Sequence, residues 1–254
     1  MILVAMVLLL EAEKRPEQRH VQGWFYGLLR QAAPELHESP APPPFTTAVG
    51  GGKGHYWLRV TLLDEALYSS LSPLLYPLAG KSIRLGKEVV PVRAVLHEGH
   101  YLAALSTYPR LFQGVAEHDY PFRFLSPTFF KRKGGHYPLP EPKLVFGSLY
   151  ERFRSYSPAP PPAGLPEVFE RVTLRKLNLR SKAIEHETRG VGVTGNAVYH
   201  LPKAGNEEAR WLTALWRFSF FSGVGAKTSM GFGLVRPGPL SKGVERDRKT
   251  AHQG

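Results

Sequence analysis

The order of apolar patterns along the first hundred residues limits what this chain can fold into more than any other feature. Met1 to Leu10 is an uninterrupted apolar run, closed by Glu11 and Glu13. Ten residues are too few to cross a bilayer, and no basic leader or small-residue cleavage site marks a signal peptide. A run apolar at every position fits a central strand buried on both faces. Trp24, Phe25, Leu28, Leu29 and Ala32 then fall at helical spacing, and Pro34 stops that helix. Extended stretches at Phe45–Val49 and His55–Leu63 flank a glycine-rich turn. Residues 64–78 carry a stripe of Leu67, Leu71, Leu74 and Leu75, and strands follow at Ser82–Leu85 and Glu88–Leu96 around Gly86. The resulting order, β-α-β-β-α-β, is that of a ferredoxin-like unit.

The second half repeats the scheme. Phe122–Lys131 reads as a strand, Lys143–Tyr156 as a helix, 171–184 and 188–200 as a long hairpin, and 206–221 as a helix. A last strand is expected at Met230–Val235. The expectation is an α+β protein of two tandem ferredoxin-like (RRM-like) domains, 1–110 and 115–237, with a disordered polar tail at 238–254. Hydrophobic residues make up 43% of the chain, enough for a sizeable core.

Between the last helix and strand lies Gly223-Val224-Gly225-Ala226-Lys227-Thr228-Ser229-Met230-Gly231-Phe232-Gly233. Glycines permit close backbone approach, so exposed amides beside Lys227, Thr228 and Ser229 are expected to cradle phosphate. A nucleotide-binding P-loop is excluded. Ala226 separates glycine from lysine, and the order is helix, loop, strand instead of strand, loop, helix. The plain alternative is a tight turn between two elements.

The net charge of +12 favours an anionic polymer as partner. Arg171, Arg175, Lys176, Arg180 and Lys182 fall in a stretch with no acid. The apolar phase shifts inside that stretch, which predicts a bulge near Arg175-Lys176. Lys131, Arg132 and Lys133 form a second cluster beside Phe129 and Phe130. Cations lining an extended segment suit a phosphate backbone, so RNA is the expected partner. No cysteine is present, which fits a reducing cytoplasm and excludes thiolate metal sites. No metal, cofactor or membrane partner is expected.

For chemistry, His37 follows the first helix, on which Tyr26 and Arg30 are spaced i, i+4. An imidazole moves protons near neutral pH, and a guanidinium stabilises charge on a phosphorane. The 2′-hydroxyl of RNA is its own nucleophile, so these groups need no metal.

These segments together resemble the CRISPR-associated (Cas) endoribonucleases that cut precursor CRISPR RNA at its repeats, the sixth-numbered Cas family. The closing glycine loop, Leu125-Ser126-Pro127 and the stretch around Leu36-His37-Glu38 carry the resemblance. It implies metal-independent cleavage to a 5′-hydroxyl and a 2′,3′-cyclic phosphate (or 3′-phosphate), with His37 as general acid or base. Well-known members add a helix tyrosine and a lysine shortly after the histidine. Here no lysine occurs between Lys14 and Lys53, and Arg30 stands nearest the tyrosine position, with Tyr26 one turn earlier. The alternative reading is a non-catalytic RNA-binding subunit of a CRISPR ribonucleoprotein. Dimerisation and attachment to an effector complex are left open.

Overall fold

A computed structural model describes residues 1–34, 42–132, 135–184, 190–203 and 205–238. The first half contains β1 (Ile2–Glu11), α1 (Gln18–Ala32), β2 (Phe45–Gly52), β3 (His55–Leu62), α2 (Glu65–Leu75), β4 (Ser82–Leu85), β5 (Glu88–Leu96) and β6 (Ala104–Thr107). The second contains β7 (Asp119–Thr128), the small hairpin β8 (Phe130–Arg132) and β9 (Gly135–Tyr137), α3 (Pro142–Tyr156) and α4 (Leu165–Phe169). It closes with β10 (Thr173–Ile184), β11 (Gly190–His200), α5 (Asn206–Ser222) and β12 (Val235–Pro237).

The first sheet runs β2-β3-β1-β5-β4 and the second β10-β11-β7-β12. Each has the first strand of its unit third in line, so the two halves share the ferredoxin-like topology expected from the sequence. β5 and β6 take turns on one edge of β1: Leu10 faces Val92, and Ile2 faces Thr107.

The unbroken apolarity of β1 has a two-sided cause. Val4, Met6, Leu8 and Leu10 face the core under α1 and α2, where Val21, Phe25 and Leu29 meet Leu67, Leu71 and Leu75. Leu3 and Ala5 point the other way, into a core built mostly from α3, α5 and β7. Both faces of the strand are therefore dry, and an apolar core passes continuously from one half to the other.

Two strand boundaries differ from the expectation. The predicted strand Phe122–Lys131 ends at Thr128, and Phe130 opens the separate β8–β9 hairpin. The predicted strand at Met230–Val235 is a 3-10 turn, Thr228–Met230, followed by loop, with β12 starting only at Val235. Gly231 and Gly233 both take positive φ there, which breaks an extended run. The bulge is where the phase shift put it: Leu174 pairs with Tyr199 and Lys176 with Val198, leaving Arg175 extra. The tail beyond residue 238 lies outside the described residues. No helix among the described residues is long and apolar enough to cross a membrane.

Candidate nucleic-acid interface

The glycine loop does not present a row of open amides. Gly223 donates to the Ser219 carbonyl (2.9 Å), Val224 to Gly233 (2.9 Å) and Ala226 to Phe129 (2.8 Å). Gly225 donates to Ser148 Oγ at 3.1 Å. Gly233 donates to the Pro127 carbonyl (3.0 Å) and Leu234 to Ser126 Oγ (2.9 Å). Thus the two glycine triplets bond to each other and to Ser126-Pro127, which links the two sequence motifs physically. Gly223, Thr228, Ser229 and Gly233 are buried. The amides of Gly223, Gly225 and Gly233 and the Thr228 hydroxyl are thus engaged within the protein, where glycine serves close packing. Lys227 and Gly231 stay partly exposed, Lys227 in the left-handed region at φ 54°.

The loop is instead a wedge between the halves. Thr47 on β2 donates to the Ser229 carbonyl (2.8 Å), and Gln18 at the start of α1 donates to Thr47 Oγ1 (3.0 Å). Arg152 on α3 donates to Thr228 Oγ1 and to the Ser222 carbonyl (2.8 Å). It also reaches the carbonyls of Pro43 (2.7 Å) and Phe45 (3.2 Å) at the entry to β2. From the other side Arg59 on β3 donates to the carbonyls of Leu102 (2.9 Å) and Phe220 (2.6 Å). Burial pushes the Arg59 guanidinium down to about 9 and that of Arg152 to about 10, so both remain charged at neutral pH.

Beside the wedge a cleft of about 1760 Å³ opens, lined by Arg15, Arg19, Trp57, Ser126, Lys182 and Phe232 among others. Arg15 is held at its rim by the Val49 carbonyl. Cations, aromatic rings and polar backbone converge in this one space.

The basic strand turns a broad face outward. After the bulge, Lys176, Asn178, Arg180 and Lys182 share one side of β10, since side chains alternate along a strand. Asn178 pairs with Asn196, Asn196 with Arg123, and Arg123 with Arg236. Direct partners across a sheet point to one face, so a polar, cationic row crosses all four strands. The flanking Phe122 and Phe124 point into the core. Arg236 lies over the half-exposed ring of Tyr101, 5.8 Å from its centroid. Sequence reading missed Arg123 and Arg236 because neither stands in a basic run. Only strand register brings them together.

Three predicted RNA contacts already have acidic partners. Arg171 is paired with Glu208, Arg132 with Glu141 (2.6 Å), and the bulged Arg175 with Asp119 (3.1 Å). Glu208, in turn, is held below the usual carboxylate range chiefly by that hydrogen bond to Arg171. Arg132 also lies over the Tyr137 ring at 4.1 Å. Such exposed pairs contribute little to stability. Lys131 is exposed, and Lys133 lies outside the described residues.

Of the expected catalytic set, Arg30 is exposed in the last turn of α1. Tyr26 is half-buried, its ring edge-on to Phe45 at 5.8 Å. Both stand on the helix that leads to residues 35–41. His37 is in that segment, outside the described residues.

Two ferredoxin-like units joined by a shared core, with a cationic sheet face and an aromatic-lined cleft, define an RNA-binding protein of the tandem type. Residues 122–235 match the family of the CRISPR-associated endoribonuclease Cas6. The chain is 51% identical to a Cas6 (TTHA0078) solved as a product complex, covering 94% of this chain and 100% of that one at a TM-score of 0.90. It is 34% identical to Thermus thermophilus Cas6 (TTHB231), covering 93% and 98% at 0.76. The Cas6 endoribonuclease of Mycobacterium tuberculosis is 29% identical over 227 residues, 85% of this chain and 71% of that protein. The chain belongs to the Cas6 family: it is an RNA endonuclease that cleaves CRISPR repeat RNA.

Proposed function

We propose that the cut is a metal-independent transesterification centred on His37. The 2′-hydroxyl before the scissile bond gives up its proton and attacks phosphorus. The P–O5′ bond breaks, and the leaving 5′-oxygen takes a proton, giving a 5′-hydroxyl and a 2′,3′-cyclic phosphate. His37 serves as general base or acid, Arg30 carries charge on the phosphorane, and Tyr26 is a further, weaker candidate on the same helix. One observation carries the reading beyond the family. A Cas6 (TTHA0078) that is 50% identical over 94% of this chain, at a TM-score of 0.84, has been solved as an H37A mutant. This chain has histidine at the same number, between α1 and β2.

The relatives include a product complex and a substrate-mimic complex. Here the RNA is taken to cross the cationic sheet face, with Lys176, Arg180, Lys182, Arg123 and Arg236 on its phosphates. A cytoplasmic location goes with a transcript as substrate.

The test is single-turnover cleavage of repeat RNA in EDTA. His37→Ala is expected to slow it by about 10²- to 10⁴-fold, the usual contribution of a general acid or base. A 2′-deoxy nucleotide at the cut should abolish it. Magnesium dependence, or an undiminished His37→Ala, would overturn the mechanism.

A further inference from the structure

The polar row on the second sheet ends against the first half of the molecule. Asn178, Asn196, Arg123 and Arg236 lie side by side on β10, β11, β7 and β12, and β12 is the last strand of that sheet. Beyond it the Arg236 guanidinium meets Tyr101, on the turn between β5 and β6. Among the described residues Tyr101 is the most exposed Phe, Tyr or Trp, with 51% of it open. Arg236 stands 5.8 Å from its ring centroid, at the outer limit of a cation–π contact. Burial raises the phenol pKa, and Arg123, Arg236 and the Trp57 indole oppose that only in part, so the ring is uncharged at neutral pH. Neither Arg123 nor Arg236 has a carboxylate partner among the described residues, whereas Arg132, Arg171 and Arg175 do.

The ring is open to solvent, yet the turn that carries it is fixed. The Ala103 amide donates to the His100 carbonyl (2.8 Å), and the Leu102 amide to His100 Nδ1 (3.2 Å). Arg59 holds the Leu102 carbonyl at 2.9 Å. Leu102 is fully buried and shares a small core with Val7, Ala48 and Leu234. Leu234 lies two residues before Arg236, so one core fixes the Tyr101 turn and β12 relative to each other. The His100 ring backs Tyr101 at 4.6 Å between centroids. An exposed aromatic ring adds little to the core of its own domain. Held still beside unpaired cations, it suits a base: every base has a π-face, and a ring already in place loses little entropy when one stacks on it.

We propose that Tyr101 is an RNA-binding residue: its ring stacks on an unpaired base of the repeat RNA at the end of the cationic row, while Arg123 and Arg236 hold the neighbouring phosphates. This rests on the RNA crossing that sheet face. Stacking reads no base edge, so Tyr101 contributes affinity and register instead of sequence choice.

The experiment measures Kd for uncleavable repeat RNA, 2′-deoxy at the cut, at several salt concentrations. Tyr101→Ala should weaken binding by about 5- to 100-fold, the range of one base–aromatic stack, with the salt slope unchanged. Tyr101→Phe keeps the ring and should stay within about twofold of the unaltered protein. RNAs made abasic at one position at a time then locate the base. One of them should weaken the unaltered protein about as much as Tyr101→Ala does, and weaken Tyr101→Ala no further. If Tyr101→Ala does not fold, Tyr101→Leu is read against the same abasic series. An unchanged Kd in Tyr101→Ala, an equal loss in Tyr101→Phe, or the lack of any abasic position coupled to the ring overturns the proposal. Failure of the underlying reading looks different, because Arg123→Ala and Arg236→Ala would then leave the salt slope untouched. A reduced slope in those two beside a silent Tyr101→Ala refutes the stacking role alone.

Discussion

At Gly233 a β-carbon would stand 2.0 Å from the Val224 carbonyl oxygen, and the residue has φ +65°. Gly225 is similar, with the Phe129 carbonyl 2.4 Å from its missing β-carbon and φ +83°. Either substitution meets backbone, which cannot rotate away. Gly233→Ala is expected to destabilise the protein by more than about 2 kcal/mol, measured as a lower urea midpoint. An unchanged midpoint would show that the loop relaxes. These glycines were plain in the sequence, but their purpose was not. Glycine serves equally for a ligand's approach and for that of another backbone, and only the acceptors of their amides tell which. The paired arginines show the same gap. Arg175 and Asp119 are far apart in sequence, and no local pattern announces that one will occupy the other.

Element by element, more was legible. A strand with one core face must alternate, so the phase slip between Leu174 and Leu177 is enough to locate the bulge in β10. The consequence is functional: the extra Arg175 resets the phase so that Lys176, Arg180 and Lys182 share the outer face. Replacing those three with alanine should weaken repeat RNA binding and reduce the salt slope by about 0.7 to 0.9 for each phosphate left without a cation. Titrations at several salt concentrations read this directly, and an unchanged slope would put the RNA elsewhere. Arg123→Ala is expected to reduce the slope by about one further unit at most. That residue was invisible as a site, because in β7 it is a lone cation between two phenylalanines. Its place beside Asn196 and Arg236 follows from pairing between strands distant in the chain.

Across the whole molecule, Arg59 and Arg152 reach in opposite directions through one interface, Arg59 to the Phe220 carbonyl and Arg152 to those of Pro43 and Phe45. Arg59→Met would leave the Leu102 and Phe220 carbonyls without their donor. A net loss of about 2 kcal/mol is expected after the gain from burying an apolar chain. Since Leu3 and Ala5 belong to the core of the second half, urea unfolding should remain one cooperative transition. Two separated transitions would mean that the halves fold independently. The sequence by itself determined the repeated β-α-β-β-α-β order, the buried first strand, the bulge and the cationic character of β10. These depend on periodicity and composition, which are local. What came only from the packed molecule is that the glycine loop is a wedge, that Arg123 and Arg236 join the cationic face, and that Arg152 ties the end of α5 and the glycine loop to the entry of β2. Each depends on which distant backbone oxygens and strands meet. That is settled by the packing of two units against one shared strand, and no window of sequence contains it.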